Sequence, residues 1–334
     1  MDLCDELEEV SGVRMLLRVP QSSASSSWAS QHKQQVRALL QRHGALLIRG
    51  LRFHGTRQFG QFLETLFQHE LAEYTYRSTP RTRLGGNVYT ATEYHPAQTI
   101  PQHNESSYAS EWPLYIGFLC MIAPDPGRGG ATPLADSRAV LVKIPPDIVE
   151  KFETRKLQYV RNYGSVDLPW SEVFQTDDRR QVEAFCNDHG ISFEWTGNGG
   201  LRTRFTTPAT EAHPLTGERI WFNQAHLFHV SGLAPEVTRD MLSLYRTEDL
   251  PRNVYFGDGA AIDVHDLDRI RAAYEEVKFH FPWQTGDVLL LDNMLYTHGR
   301  QPYSGPRKIL VGMAKPHRRV HGLTSRPVAT GTSA

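Results

Sequence analysis

The sequence predicts a mainly β protein with flanking helices, built on a double-stranded β-helix (jelly-roll) core. Three observations predict it. Many short runs read as strands, the helical patterns fall mainly outside the segments that carry candidate metal ligands, and those ligands come from both ends of the β-rich region. A double-layered barrel brings distant strands to one mouth, where His103 and His298 could meet across 195 positions (298 − 103).

The elements follow in order. Residues 21–27 are serine-rich and read as a loop. Residues 28–43 have helical spacing, with Val36, Leu39 and Leu40 on one side and Gly44 as a stop. The run Ala45-Leu46-Leu47-Ile48-Arg49-Gly50 predicts a short buried strand. A second helix is expected over 56–68, its apolar face made of Phe59, Phe62, Leu63 and Leu66. From residue 86 the pattern turns extended. Residues 87–93 are rich in Tyr and Thr, and 114–123 are apolar enough for a central strand. A turn-rich loop covers 124–130, and Ser137 is expected to cap a helix over 138–143. Strands are expected at 157–163, 191–196, 202–207 and 219–222, and helices at 177–189 and 235–245. A helix over 263–276 has Asp263 as its cap and Leu267, Ile270 and Tyr274 on one face. The last third returns to strands at 277–283, 287–291 and 308–314. With no internal repeat and no linker, the expected organisation is an N-terminal segment over 1–27, one domain over 28–316 and a loose polar tail over 317–334.

Composition narrows the function. The 334 residues are 40% apolar and 22% charged, an ordinary globular balance able to bury a sizeable core. A formal net charge of −1 argues against nucleic acid as a partner, and the local run His317-Arg318-Arg319 reads as part of a solvated tail. Three widely separated cysteines, Cys4, Cys120 and Cys186, make neither a disulfide framework nor a thiolate zinc site, which fits a reduced, cytoplasmic setting. The first residues are acidic with no apolar run behind them, so no signal peptide is expected. No stretch is long enough to cross a membrane. Oligomeric state is not legible.

The chain is organised around Pro101-Gln102-His103-Asn104-Glu105-Ser106-Ser107-Tyr108. On an extended strand His103 and Glu105 share a face and Asn104 points the other way. Far downstream, Tyr296-Thr297-His298-Gly299-Arg300 offers a third ligand in His298. Two histidines and one carboxylate form the facial triad of non-haem Fe(II) oxygenases, which leaves positions open for cosubstrate and oxygen. Two further pieces stand in a consistent order with these: Gly129-Gly130-Ala131-Thr132, and Arg307 just beyond the distal histidine.

The ordered set H-x-E, G-G-x-T, distal His and Arg resembles the taurine dioxygenase family of Fe(II)- and 2-oxoglutarate-dependent oxygenases. The resemblance spans roughly 35–316 and is densest at 85–140 and 280–315. It implies that His103, Glu105 and His298 bind iron, that Thr132 hydrogen-bonds the distal carboxylate of 2-oxoglutarate, and that Arg307 clamps that carboxylate with its planar fork. It also implies consumption of O2 and conversion of 2-oxoglutarate to succinate and CO2, coupled to hydroxylation of an unactivated C–H. The chain departs from the family at two points. Glu105 stands where many members have Asp. A second arginine a few residues past the first has no counterpart, since Val311, Gly312 and Met313 fill that region. Arg307 is then expected to clamp alone, with Arg300 a candidate helper of unassigned role.

Within the family, residues 94–136 resemble the syringomycin-type aspartyl β-hydroxylase branch. The similarity is carried by His103-Asn104-Glu105-Ser106-Ser107, Glu111-Trp112-Pro113, Trp221-Phe222-Asn223-Gln224 and His298-Gly299-Arg300. It implies an amino acid or amino-acid-derived substrate, free or tethered to a carrier protein, in natural-product biosynthesis. Candidate substrate contacts are Asn104, Tyr108, Arg204 and Asn223, with Trp112 and Arg202 beside them. A carboxylate in the triad leaves no place for a halide ligand, so halogenation is disfavoured, while desaturation and cyclisation stay open. Competing readings are a catabolic dioxygenase of a small sulfonate or carboxylate, a non-catalytic jelly-roll binding module, and a zinc hydrolase on the same three ligands.

Overall fold

The computed structural model describes residues 3–76, 78–164, 166–197 and 199–319. An eight-stranded sheet runs in the order Glu8–Val10, Val13–Ala24, Ala45–Arg52, Val288–Asp292, Glu111–Ile122, Lys308–Arg318, Val88–Thr90, Arg83–Gly85. Opposite it lies a three-stranded sheet, Ile100–His103, Tyr296–Arg300 and Leu134–Asp136. These two layers are the jelly roll. The cavity between them is lined by Phe118, Ile309 and Val311 from the large sheet and by His103 and His298 from the small one. A four-stranded sheet (Ser192–Trp195, Leu201–Thr207, Leu157–Tyr163, Arg252–Phe256) and a hairpin of Thr210–Ala212 with Arg219–Trp221 are inserted beside the barrel.

Glu111–Ile122 is the centre of the large sheet, and its middle is buried on both faces, which is why it reads as an unbroken apolar run rather than an alternating one. Gly117 on this strand pairs with Gly312 on its neighbour. A Cβ on either would come within 2.3 or 2.6 Å of Leu63, so the bare pair forms the groove in which helix Thr56–Phe67 seats its apolar face. Helix Ser25–His43 ends where expected: Gly44 is left-handed (φ 77°) and its N–H reaches the Leu40 carbonyl at 2.7 Å.

Four local expectations are corrected. Residues 21–27 are not a loop. Strand Val13–Ala24 continues through them in parallel register with Ala45–Arg52, and the helix starts at Ser25, which is fully buried. The cap of helix Ser137–Lys143 is Asp136, whose carboxylate accepts the Arg138 N–H at 2.8 Å, while Ser137 is buried in the first turn. Residues 277–283 form no strand. The helix Val264–Val277 occupies the start, and Phe279 alone bridges to Leu134. The apolar signal there came from Phe281 and Trp283, which are buried as packing side chains. Finally, Lys308–Arg318 pairs as far as Arg318 with Glu111, so 317–318 are strand. Arg319 is not solvated either: it bonds Glu211 and lies over the Trp112 ring. The rest of the expected tail, 320–334, lies outside the described residues. Among the described residues no helix is long and apolar enough to cross a membrane, and Cys4, Cys120 and Cys186 form no disulfide.

Candidate metal centre and its cavity

His103 ends strand Ile100–His103, and its cross-strand partner is His298 on Tyr296–Arg300. Direct antiparallel partners project to one face, so the ladder itself brings the rings to 4.6 Å between centroids. Glu105 lies just past the strand end, in a turn where Ser106 takes φ 57°. Asn293 fixes that turn: its Oδ1 accepts the Glu105 N–H at 2.7 Å and its Nδ2 donates to the Glu105 carbonyl at 3.0 Å and the Pro113 carbonyl at 2.9 Å.

The ligand atoms of His103, Glu105 and His298 all lie within 4.8 Å of one another. His103 Nδ1–H donates to the Pro101 carbonyl at 2.8 Å, which leaves the Nε2 lone pair free for the cavity. Burial lowers the pKa of both imidazoles. His298 is pushed well down, with His103 and Arg81 adding to the effect. Both rings are therefore neutral, the form that ligates a metal. Two neutral imidazoles and one carboxylate, with no thiolate, fit a divalent transition ion with open positions.

Thr132 and Arg307 line the same cavity as the two histidines. Their loop is held by Gly129, left-handed at φ 78°, where a Cβ would stand 2.1 Å from the Pro302 carbonyl oxygen. Gly130 donates to that oxygen, and its own carbonyl accepts Arg307 Nε–H at 2.8 Å. Thr132 Oγ1 accepts from Trp283 Nε1 at 3.0 Å and from Arg307 Nη2 at 3.4 Å. Burial lowers the Arg307 pKa to about 10, which still leaves a buried cation at neutral pH. Arg300 also borders the cavity, with its two Nη groups on the carbonyls of Thr92, Tyr94, His95 and Gln98, so it organises that loop, while its Nε is buried without a partner among the described residues.

The expected substrate contacts are placed otherwise. Asn104 points away from the metal ligands, its Nδ2 on the Asn293 carbonyl (2.6 Å) and the Ser137 hydroxyl (3.1 Å). Tyr108 is buried among Tyr76, Tyr159 and Phe228, with its hydroxyl on the Tyr76 carbonyl. Asn223 binds the Ala209 carbonyl and the Ala225 N–H. Arg204 is half-exposed beside Glu194, and Arg202 bonds Asn162 and Asp249. Most of these polar groups are engaged by scaffold, as buried polar groups generally are, while Asn104 Oδ1 is buried without a hydrogen-bond partner among the described residues.

What the sequence reading missed is Arg81. Its Nη2 lies 2.6 Å from Glu105 Oε2, and both side chains are only 4% exposed. Burial works against its charge, but Glu105 outweighs this and raises the Arg81 pKa. Arg81 ends a strap, 72–76 and 78–81, that borders the large sheet, with the Ala72 N–H on the Met313 carbonyl at 2.7 Å. Backbone carbonyls of the strap accept from Gln175 (at Tyr74), Tyr108 (at Tyr76) and Arg252 (at Ser78). Beside it lies a second cavity of about 270 Å³, walled by Tyr74, Tyr76, Ser106, Trp112, Phe185 and Met313.

A model of the taurine catabolism dioxygenase TauD, TfdA family matches residues 20–314. The dapdiamide synthesis protein DdaC of Enterobacter agglomerans is 40% identical over 279 residues, covering 83% of this chain and 84% of its own. A clavaminate synthase-like protein of Arabidopsis thaliana is 33% identical over 302 residues, 85% of each chain. Among solved structures, an asparagine oxygenase in complex with Fe(II), 2S,3S-3-hydroxyasparagine and succinate superposes with a TM-score of 0.52 at 13% identity, covering 86% of this chain and 83% of its own.

Proposed function

The chain belongs to the taurine catabolism dioxygenase TauD, TfdA family, and from that premise we propose that it hydroxylates an unactivated C–H of an amino acid or amino-acid-derived substrate in natural-product biosynthesis. The protein is an Fe(II)- and 2-oxoglutarate-dependent dioxygenase. In this reading His103, Glu105 and His298 hold the iron, which when bound supplies the activation of O2 toward an inert C–H. Thr132 and Arg307 grip the distal carboxylate of 2-oxoglutarate, and Phe118, Ile309 and Val311 keep that pocket dry. Asn104 and Asn293 position Glu105 from behind. In this reading the enzyme works in the cytoplasm, a setting consistent with three cysteines that form no disulfide.

The observation that supports the reading is one cavity lined both by His103 and His298, two members of the three-ligand cluster, and by the Thr132–Arg307 pair. The relative's role in dapdiamide synthesis favours a biosynthetic over a catabolic substrate. The test is succinate release from enzyme, Fe(II), O2 and 2-oxoglutarate across amino acids, each offered free and loaded on a carrier protein, with mass spectrometry of the product. We expect amino-acid-dependent succinate and a 16-dalton gain, on the free or on the tethered form. Turnover of sulfonates or aryloxy acids alone would return the enzyme to the catabolic side of the family.

A further inference from the structure

We propose that Arg81 is the anion anchor of the substrate, and that the cavity of about 270 Å³ beside it receives a molecule carrying a free carboxylate. The inference rests on the reading above, in which Glu105 ligates iron.

The Arg81 guanidinium stands between two cavities. It lines the metal cavity, and it lies over the Tyr74 ring at 4.7 Å with Nη1 3.9 Å from Met313 Sδ. Tyr74 and Met313 are walls of the second cavity, as is Ser106, the neighbour of Glu105 in sequence. Arg81 therefore lines one cavity and touches two walls of the other. Its Nε–H is buried and unbonded among the described residues. One edge of the fork is on Glu105, and the remaining donors are available to a second acceptor.

Charge decides what that acceptor is. Once Glu105 shares its charge with a divalent ion, Arg81 is a buried cation without full compensation, a costly state. A substrate carboxylate arriving beside Tyr74 and Met313 removes that cost and sets its own neighbouring carbon toward the metal cavity. The second cavity suits such a guest in other ways. Its walls are aromatic and apolar, and two of the residues that wall it, Ser110 and Trp112, carry buried donors, Oγ and Nε1, without a partner among the described residues. Glu73 and Glu111, also bordering it, are opposite in sign to an ammonium. A zwitterionic amino acid finds both signs there. A carrier thioester, which has lost the carboxylate through which it is loaded, keeps an anion for Arg81 only if its side chain carries one.

The test is calorimetric binding to the full-length, Co(II)-loaded protein with 2-oxoglutarate, without oxygen. The probes are L-aspartate, L-asparagine, L-arginine, their methyl esters, and taurine, titrated into wild type, Arg81→Gln and Arg81→Lys. We expect at least one acid to bind wild type, and esterification and Arg81→Gln each to weaken it by about a hundredfold, with little added by combining them. Arg81→Lys should recover part of the loss, and 2-oxoglutarate affinity should stay unchanged in both variants. The proposal is overturned if no probe binds in an Arg81-dependent way, if an ester binds as well as its acid, or if Arg81→Gln weakens 2-oxoglutarate instead. Arg81-dependent binding of taurine, with no amino acid bound or turned over, would uphold the anchor and sink the amino-acid reading. Amino-acid turnover with unchanged affinity in Arg81→Gln would do the reverse.

Discussion

The metal cavity has two walls that meet at His103 and His298, and they are made in different ways. The wall assigned to 2-oxoglutarate is bound to the barrel. Thr132 lies two residues before strand Leu134–Asp136, and Arg307 immediately precedes strand Lys308–Arg318, with a glycine loop tying the two together. The wall assigned to substrate is Arg81 and the strap before it, 72–76 and 78–81, which meets the large sheet at the Ala72 N–H on the Met313 carbonyl and is otherwise held largely by side chains that reach its backbone from other elements. The difference teaches a division of labour. A cosubstrate of fixed chemistry can be met by side chains locked to the strand ladder. A substrate that varies between relatives is better met by a segment whose residues can change without touching a sheet hydrogen bond.

The sharpest way to break the shared corner is to remove its ligands. His103→Ala, Glu105→Ala and His298→Ala should each reduce succinate formation to background, with far-UV circular dichroism unchanged, because a bound ion needs all three donors to stay poised. Retention of near-normal turnover in two of the three would place the metal elsewhere. Next in size is the cosubstrate wall. Arg307→Ala leaves a ligand carboxylate unpaired, a loss of about 3–5 kcal/mol that corresponds to at least about a hundredfold in the Michaelis constant for 2-oxoglutarate. Arg307→Lys should recover only part, since a lysine lacks the fork. An unchanged constant in Arg307→Ala would move the role to another residue.

A smaller effect is expected one step removed. Gly129→Ala forces a Cβ against the Pro302 carbonyl at a left-handed position and shifts the Gly130 carbonyl that steadies Arg307. Strain of about 1–3 kcal/mol should raise the 2-oxoglutarate constant about tenfold and leave substrate binding alone, which a titration of each ligand would separate. If both constants rose together, the two walls would not be independent. The smallest effect belongs to Arg204→Ala. This half-exposed residue beside Glu194 lies in the inserted sheet, so kinetics should be unchanged and melting should report a loss within about 0.5 kcal/mol.

That Thr132 and Arg307 share a cavity with the histidines was legible in the sequence because these residues come in short motifs with local causes. A glycine pair, a threonine and an arginine ahead of an apolar strand each declare themselves. The triad was legible for the same reason, although Glu105 sits in a turn past the strand end rather than on the strand. The substrate wall was not legible. Arg81 is 24 positions from Glu105 in a segment without periodicity, and only the fold shows that their side chains meet. The polar residues near the motifs show a different constraint. Asn104, Tyr108 and Asn223 are near the metal ligands in sequence, and each has a donor engaged by a backbone carbonyl of the scaffold. Asn293 could have been suspected: an asparagine closing a buried apolar strand needs partners, and those partners are the backbone of Glu105.

The pairing of His103 with His298 also has a bearing on how the chain folds. The two residues become neighbours only when strands 195 positions apart (298 − 103) zip together, a contact of very high sequence separation. Closing so long a loop is slow relative to forming the helices at Ser25–His43 or Val264–Val277, so the ion-binding site should be among the last features to assemble during refolding. Metal capture then acts as a clock for barrel closure. A spectroscopic ion added during refolding would register only completed molecules. An ion held by the closed form alone would in turn draw the equilibrium toward closure.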